Sequence, residues 1–269
     1  MKTILQRMMR SAFFQPLWGK LFHIAKVGMN YWGAGSYLYS GELNCFKKIV
    51  EKRDQNGLFI IFDVGANEGN YVLALDKIMQ DNSKTAPLNY QIHCFEPVKK
   101  TFSELESAVA GSKHIQLNHF GLSAAKETGH VFVPENSSVL SSNFQQHITS
   151  KQLSSFTQEQ INLDTLDNYC RQNNILHINY LKIDVEGFEL NVLKGAAEML
   201  GKGAVDHIQF EFGECMIDAR VFFKDFWNLL NEKYRLYKIL PDSLHEITAY
   251  NEELEVFHCA NFIATHKRI

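Results

Sequence analysis

Three charged side chains alternate with apolar ones in a short segment that otherwise resembles a buried β-strand. Lys182, Asp184 and Glu186 share one face of this strand, because side chains two residues apart point to the same side. Unpaired charges are costly to bury, so we expect these groups to be paired or to face a cleft. A carboxylate in a cleft can draw a proton from a hydroxyl, orient that hydroxyl, or bind Mg²⁺ or Ca²⁺.

A further acid, Glu211, lies in the next apolar segment, Ile208–Glu214. If the two strands are neighbours, the acids converge at the carboxyl edge of the sheet, where open α/β sheets bind ligands. We therefore predict that Asp184, Glu211 and Glu186 are catalytic, and the need for a metal is left open. The alternative is structural: Lys182 pairs with Asp184 or Glu211, and Glu186 and Glu189 serve as helix-start acids.

A glycine-containing loop joins a third buried segment to a helix. Glycines let the backbone turn and approach a ligand closely, and N–H groups at a helix start can hold a carboxylate. Asp63, which ends the strand, is suited to a ligand's ammonium group. The same spacing also suits a tight turn with close helix packing. If the loop binds a ligand, the predicted contacts are Asp63, Gly65, Ala66, Asn67, Gly69 and Tyr71.

The following buried segment ends in Phe95-Glu96-Pro97, which places a carboxylate where it can accept hydrogen bonds from the two hydroxyls of a ribose. Enzymes that bind NAD place an acid similarly, but their loop reads G-x-G-x-x-G and packs a pyrophosphate. The loop here lacks the middle glycine and carries Glu68, which would repel phosphate. These features favour S-adenosylmethionine (SAM), which has no phosphate. The alternative for Glu96 is an acid favoured at a helix start.

Alternating strands and helices are predicted to position these residues. From residue 58 onward, apolar segments typical of buried strands alternate with helical periods, and the last two segments resemble an antiparallel pair. This pattern predicts an α/β fold with three layers and about seven strands. One helix is predicted from Leu163 to Asn173 with Asp164 as N-cap. The serine-rich segment Pro134–Phe156 is predicted to be a loop, which we hypothesise closes over an acceptor.

Residues 1–41 differ in composition from residues 42–269, which we predict to be the SAM-binding domain. Five basic residues and several large apolar ones precede the first acid, Glu42. This pattern indicates a basic amphipathic helical extension, which could bind a membrane surface, cap an acceptor site, or pack on the domain. Pro16 limits a long membrane-lying helix and favours packing on the domain.

Composition narrows the classes of partner. The formal net charge of −3, from 27 basic and 30 acidic residues, provides no overall positive field, so we expect no nucleic acid partner. The five scattered cysteines lack a C-x-x-C pair and are typical of reduced thiols in a cytoplasmic protein. We predict neither a membrane-spanning helix nor a cleaved signal peptide. The oligomeric state is left open.

With these residues in view, the sequence resembles the FkbM family of SAM-dependent methyltransferases. Family members methylate hydroxyls of sugars, glycolipids and polyketides, so the resemblance implies an O-methyltransferase with a small-molecule or glycan acceptor. Two alternatives remain: a nucleotide-dependent oxidoreductase and a SAM-binding module without catalysis. The resemblance rests on Phe62–Gly69, Phe95–Pro97, Gly121–Ser123, Leu163–Asp167, Leu181–Glu189 and Val192–Ala196, with Asn261–Ala264 as its last strand.

The resemblance also implies details of the fold and of the cofactor site. The fold would be the Rossmann-like class I methyltransferase sheet, with a reversed final strand inserted beside its neighbour. SAM would be held by the glycine loop and by Glu96 and Pro97. The adenine would lie against Gly121, Leu122 and Ser123.

Overall fold

The computed structural model describes residues 2–31, 37–52, 57–83, 89–134 and 156–269. Within these ranges the strands are β1 (Leu58–Val64), β2 (Asn89–Phe95), β3 (Ile115–Asn118), β4 (Gly121–Leu122), β5 (Glu127–Pro134), β6 (Phe156–Asp164), β7 (Ile178–Ile183), β8 (Val205–Phe212), β9 (Tyr234–Ile239), β10 (Leu244–Ile247) and β11 (Ala260–His266). The hypothesised acceptor lid lies, apart from its two end residues, outside the described residues.

Helices connect most of the strands, and three α-helices precede the first strand. Short 3₁₀ helices cover Ala12–Phe14 and Glu252–Leu254. The α-helices are α1 (Lys2–Met9), α2 (Gln15–Gly28), α3 (Glu42–Lys52), α4 (Asn70–Ser83), α5 (Lys99–Val109), α6 (Leu166–Gln172), α7 (Glu189–Lys194), α8 (Ala197–Gly201), α9 (Cys215–Ala219) and α10 (Phe223–Leu230).

The main sheet has eight strands in the order β10-β9-β11-β8-β7-β1-β2-β3. The five strands from β8 to β3 are parallel, whereas β11 runs antiparallel to both β8 and β9. The chain leaves β1 toward β2 and β3 and later returns on the other side of β1 with β7. This reversal creates a crevice at the carboxyl ends of β1 and β7. The predicted Rossmann-like class I methyltransferase fold, with an antiparallel C-terminal strand, is confirmed.

Two cores cover the two faces of the main sheet. Ile60, Phe62 and Val64 of β1 pack on one side, in a cluster that includes residues of α6, α7, α8 and α10. Phe59 and Ile61 pack on the other side with residues of α3, α4 and α5. The alternation follows from the two-residue period of a strand, and burial on both faces explains why β1 is apolar from Leu58 to Phe62.

A second, three-stranded sheet was not predicted. Its order is β4-β6-β5, with β5 and β6 antiparallel. The predicted helix start is wrong, because Asp164 ends β6 and Thr165 caps α6 by accepting a hydrogen bond from the backbone N–H of Asn168. The strand β10, which forms a hairpin with β9, was also missed and accounts for the eighth strand.

The N-terminal helices lie largely outside the two cores. Neither the 3₁₀ helix at Ala12–Phe14 nor α2 has a buried residue, although the sequence favoured packing on the domain. The chain joins the domain just after α2, where Asn30 donates hydrogen bonds to the carbonyl oxygens of Ser40 and Ile239. A domain boundary at residue 41 stays a prediction.

No helix within the described ranges is long and apolar enough to cross a membrane.

Candidate functional site

A cavity of about 420 Å³ opens at the carboxyl edge of the main sheet, beside the reversal between β1 and β7. It brings together the glycine loop after β1, the acid after β2 and the charged segment after β7. Its walls are Tyr37, Gly65, Ala66, Asn67, Glu68, Asn70, Tyr71, Glu96, Pro97, Val98, Thr101, Val131, Lys182, Asp184, Val185 and Glu186.

The glycine loop adopts a conformation that few residues other than glycine favour. Gly65 and Gly69 have φ angles of 83° and 91°, and Asn67 has 48°. A Cβ on Gly65 would overlap the carbonyl oxygen of Asp184, so this position also requires glycine for close approach to the end of β7. The loop is held against β2, where the N–H groups of residues 65 and 66 donate to the carbonyl oxygen of Phe95.

Glu96 is buried in the cavity wall and connects the loop to α5. Its Oε2 accepts a hydrogen bond of 3.1 Å from the backbone N–H of Asn67, and its Oε1 accepts one of 2.9 Å from the N–H of Val98. Burial raises the pKa of Glu96 to about 7, and these two hydrogen bonds lower it only in part. A carboxylate oxygen has two lone pairs, so each oxygen can still accept a further hydrogen bond from a ligand.

Lys182 is the buried centre of a charge cluster beneath the cavity. Its ammonium lies 3.2 Å from Asp63 Oδ1 and 3.4 Å from Asp184 Oδ2, and it donates to the carbonyl oxygen of Gly65. Burial alone would lower the pKa of Lys182, but the surrounding carboxylates outweigh burial and raise it. Asp63 is fully buried and is not among the cavity-lining residues, so the structure places its carboxylate on Lys182 instead of in the cavity.

The predicted catalytic acids are brought close together. The strands β7 and β8 are neighbours, and the register that pairs Ile183 with Phe210 sets Asp184 beside Glu211. Asp184 and Glu186 line the cavity, whereas Glu211 is half-buried next to it. Burial raises the pKa of Glu211, and the charge of Asp184 raises it further.

Glu189 holds the turn that carries two of these acids, a role that the sequence did not indicate. The buried carboxylate accepts hydrogen bonds from the backbone N–H groups of Val185 (2.9 Å) and Gly187 (3.0 Å). Between these two residues, Glu186 has a φ of 52°, in the left-handed region that is uncommon for residues other than glycine. Burial raises the pKa of Glu189 to about 8.

Two cysteines contact these acids, although the sequence suggested only core thiols. The Cys215 thiol donates to Glu186 Oε2 at 2.9 Å, and Cys259 forms a hydrogen bond with Glu211. Both thiols are half-buried, whereas the other three cysteines are buried, and all five are free. The cytoplasmic location inferred from them stays a prediction.

Comparison with known families identifies the chain. Residues 63–239 match the methyltransferase FkbM domain, which is more than half of the sequence. The chain belongs to the FkbM methyltransferase family. Family membership supports the coarser part of the function predicted from the sequence, which is SAM-dependent methyl transfer.

Solved structures similar to this FkbM methyltransferase share little of its sequence. FkbM from Methylobacillus flagellatus is 14% identical with a TM-score of 0.43, and the match covers 77% of this chain but 44% of that one. An rRNA methylase from Streptococcus thermophilus is 11% identical with a TM-score of 0.41, covering 83% and 94% of the two chains. TrmK from M. capricolum, in complex with S-adenosylhomocysteine (SAH), is 12% identical with a TM-score of 0.39, covering 86% and 70%. No protein of curated function matches the sequence.

The walls of the cavity in this FkbM methyltransferase fit a cationic ligand. Four carboxylates line it, and Lys182, the basic side chain among the described lining residues, is already paired. Within the described ranges, the buried polar atoms Asn67 Oδ1 and Thr101 Oγ1 have no hydrogen-bond partner. Buried polar atoms are normally paired, so these two atoms are available to a ligand. The carboxylates are those of Glu68, Glu96, Asp184 and Glu186.

The residues predicted to border the adenine lie beside this cavity. Gly121 and Leu122 line a neighbouring cavity of about 40 Å³, which shares Gly65, Pro97 and Val185 with the larger one. Ser123 is buried, and its N–H donates to the carbonyl oxygen of Asp164. A Cβ on Gly195 would overlap the Ser123 carbonyl oxygen, which explains the glycine there. The adenine contact stays a prediction.

A polar network beneath the cavity includes a residue that the sequence did not single out. Glu42, at the start of α3, is buried and accepts hydrogen bonds of 2.6 Å from Ser40 and from Gln209 Nε2. Tyr71 and Tyr180 donate to Gln209 Oε1. Burial raises the pKa of Glu42. The only signal in the sequence was an acid at a helix start, which usually indicates a solvated residue.

In the part of the chain that the structure describes, no three histidine, cysteine or acidic side chains are arranged to hold a metal ion.

Proposed function

We propose that this FkbM methyltransferase transfers the methyl group of SAM to a hydroxyl of a small-molecule, sugar or glycolipid acceptor, and that it does so in the 420 Å³ cavity. Family membership supports the methyltransferase chemistry. The observation that carries the assignment to this cavity is its set of four lining carboxylates around a lysine that is already paired. The choice between SAM and NAD as the cofactor follows from their charges.

The charge of the cavity distinguishes SAM from a dinucleotide. SAM carries a positive sulfonium and an ammonium, which the carboxylates attract, whereas the pyrophosphate of NAD would be repelled. The start of α4, which follows the glycine loop, would provide backbone N–H groups for the methionine carboxylate of SAM. Glu96 would accept hydrogen bonds from the ribose hydroxyls, with Asn67 and Thr101 as further polar contacts. When bound, SAM supplies an electrophilic methyl group.

Asp184 is the carboxylate best placed for the acceptor. Its side chain is 39% exposed in the cavity, whereas Asp63, the other acid of the Lys182 cluster, is fully buried. A hydroxyl is a better nucleophile as its proton is drawn away, and holding the reactants in line lowers the barrier further. Asp184 would accept the acceptor's proton or orient its hydroxyl, with Glu186 at its side. The buried Lys182 holds Asp184 in position.

The test of the cavity is the affinity of the reaction product SAH for a Glu96→Gln variant. The substitution keeps the size of the side chain but replaces one acceptor oxygen with a donor, so SAH binding should weaken by about 1–3 kcal/mol in titration calorimetry. Glu106→Gln, on the exposed face of α5, is the matched control and should bind SAH like the parent protein. Equal affinity in both variants would show that Glu96 does not hold the ribose.

Catalysis is tested separately with labelled SAM and a panel of sugar, glycolipid and small-molecule hydroxyl acceptors. Transfer to a hydroxyl supports the proposal. Binding of SAH without transfer to any acceptor would favour a SAM-binding module without catalysis. Transfer to RNA in place of these acceptors would overturn the proposed acceptor class and leave the cofactor site intact.

A further inference from the structure

The N-terminal segment presents an unusual amount of apolar surface. We call residues 6–29 the N-terminal arm. Its large apolar side chains are exposed, with Phe13 at 84%, Ile24 at 64% and Phe22 at 61%. The end of α1 is held against α2 by a hydrogen bond from Trp18 Nε1 to the carbonyl oxygen of Met9. Several large apolar side chains exposed next to one another usually mark an interaction surface.

The apolar residues of α2 share one side of the helix. At 3.6 residues per turn they cover an arc of roughly 160°, and Lys20, His23 and Lys26 occupy the other side. Val27 is the large apolar residue outside the arc. The residues of the arc are Leu17, Trp18, Leu21, Phe22, Ile24 and Ala25.

The arm also differs from the rest of the chain in charge. Residues 1–41 contain five basic residues and no acidic residue. Because the net charge of the whole chain is −3, residues 42–269 carry a net charge of −8. The described arm includes Arg7, Arg10, Lys20 and Lys26. Large apolar side chains on one face, with only basic charges beside them, are typical of helices that lie in the interface of an anionic membrane.

The base of the arm is attached at the carboxyl edge of the main sheet. Lys26 Nζ lies 2.6 Å from His258 Nε2, and the other ring nitrogen of His258 lies 3.2 Å from Glu214, just after β8. Tyr31 is buried against Lys238 near the end of β9. The arm therefore starts from the same edge of the sheet as the cavity.

We propose that the N-terminal arm binds the surface of a membrane that contains anionic phospholipids. Its apolar arc would enter the boundary between headgroups and acyl chains, and Arg7, Arg10 and Lys20 would contact the lipid phosphates. Because the base of the arm is at the carboxyl edge, this binding holds the cavity beside the lipid surface. The proposal uses no residue of the catalytic cavity, so it stands or falls independently of the proposed methyl transfer.

The test is flotation of the full-length protein with vesicles of phosphatidylcholine and phosphatidylglycerol. Leu21→Glu combined with Phe22→Glu should weaken binding at least tenfold, because each apolar side chain contributes about tenfold or more when removed from water. The matched control is Leu176→Glu, since Leu176 is 86% exposed before β7, at the opposite edge of the sheet. This control should bind vesicles like the parent protein, and melting curves confirm that all variants fold.

Charge is tested by Lys20→Gln, which should lower binding to the anionic vesicles about fivefold and hardly change binding to pure phosphatidylcholine. Lys113→Gln, exposed before β3, is the control. Failure of the parent protein to float with anionic vesicles would overturn the proposal. A second outcome would also overturn it: the parent protein binds no vesicles but forms a dimer in sedimentation velocity, and the double glutamate variant abolishes that dimer. The arm would then cover a second copy of the chain.

Discussion

The acids at the carboxyl edge differ in burial and in their hydrogen-bond and ion-pair partners. Glu96 and Glu189 are each buried and each accept two backbone hydrogen bonds, yet burial prevails and raises their pKa values to about 7 and about 8. Asp184 is more exposed and lies beside the ammonium of Lys182. Glu96 and Glu189 thus respond to pH near neutrality.

The affinity for SAH should depend on pH through Glu96. Below a pH of about 7 the free protein holds a proton on this carboxyl, whereas ribose hydroxyls bind best to the ionised form, so binding would release that proton. Affinity should therefore be constant at higher pH and fall by up to about tenfold per pH unit as the pH decreases below 7. Calorimetry across this range measures the slope. Glu96→Gln, which cannot titrate, should remove this component, and an unchanged slope would contradict the assignment.

Replacement of Asp184 by asparagine should slow methyl transfer without loss of cofactor binding. A positioned base contributes about 10²–10⁴-fold, so the single-turnover rate with saturating SAM should fall within that range for any acceptor that the parent protein methylates. SAH affinity should stay close to that of the parent protein, because the proposed cofactor contacts are on the glycine loop and Glu96. A folded variant with full activity would remove Asp184 from the mechanism.

At the scale of elements, short turns after strands do most of the positioning. The turn after β7 presents Asp184 and Glu186. It is held by Glu189, in the first turn of α7, whose carboxylate accepts hydrogen bonds from two backbone N–H groups of the turn. The loop after β1 is shaped by Gly65, which approaches the end of β7, and by Gly69, which approaches Leu105 of α5. Each acid therefore depends on a neighbouring turn for its place.

Glu189→Ala should destabilise the fold, because it leaves the N–H groups of Val185 and Gly187 without their acceptor. The expected loss is about 2 kcal/mol in urea unfolding, near the usual penalty for unpaired buried groups. The control is Glu198→Ala, where an exposed carboxylate paired with Arg171 and Lys202 is lost, and this should change stability much less because water screens exposed ion pairs. Equal stability of the two variants would show that Glu189 does not support the turn.

At the scale of the whole molecule, the sheet and the N-terminal arm meet at one edge. The reversal of strand order between β1 and β7 opens the crevice. The strand β9 ends at the same edge of the sheet, where Asn30 donates a hydrogen bond to the carbonyl oxygen of Ile239. The arm with its positive charge extends from this edge of a domain with the opposite net charge. Cavity and proposed membrane surface thus lie at the same edge of the sheet.

Local pattern was enough to predict much of this architecture. A strand buried on both faces must be apolar throughout, so Leu58–Phe62 indicated a central strand and the glycine loop indicated the ligand edge. Lys182, Asp184 and Glu186 lie on one face of their strand because side chains two residues apart point to the same side. The strand β6 was missed because its partner β5 is separated from it by a long segment, and pairing of that kind leaves little local signal.

Only the tertiary structure decided which charges pair. From sequence, Asp63 was predicted to contact a ligand's ammonium group, and only the packing of β1 against β7 revealed its ion pair with Lys182. Glu42 and Glu189 have the pattern of ordinary helix-start acids, yet contacts with Gln209 and with the turn after β7 bury them. A side chain's burial and partners depend on elements far away in the chain, whereas its periodicity depends on its immediate neighbours. Sequence alone therefore predicted the sheet and the edge of the site, and the fold determined the role of each acid within it.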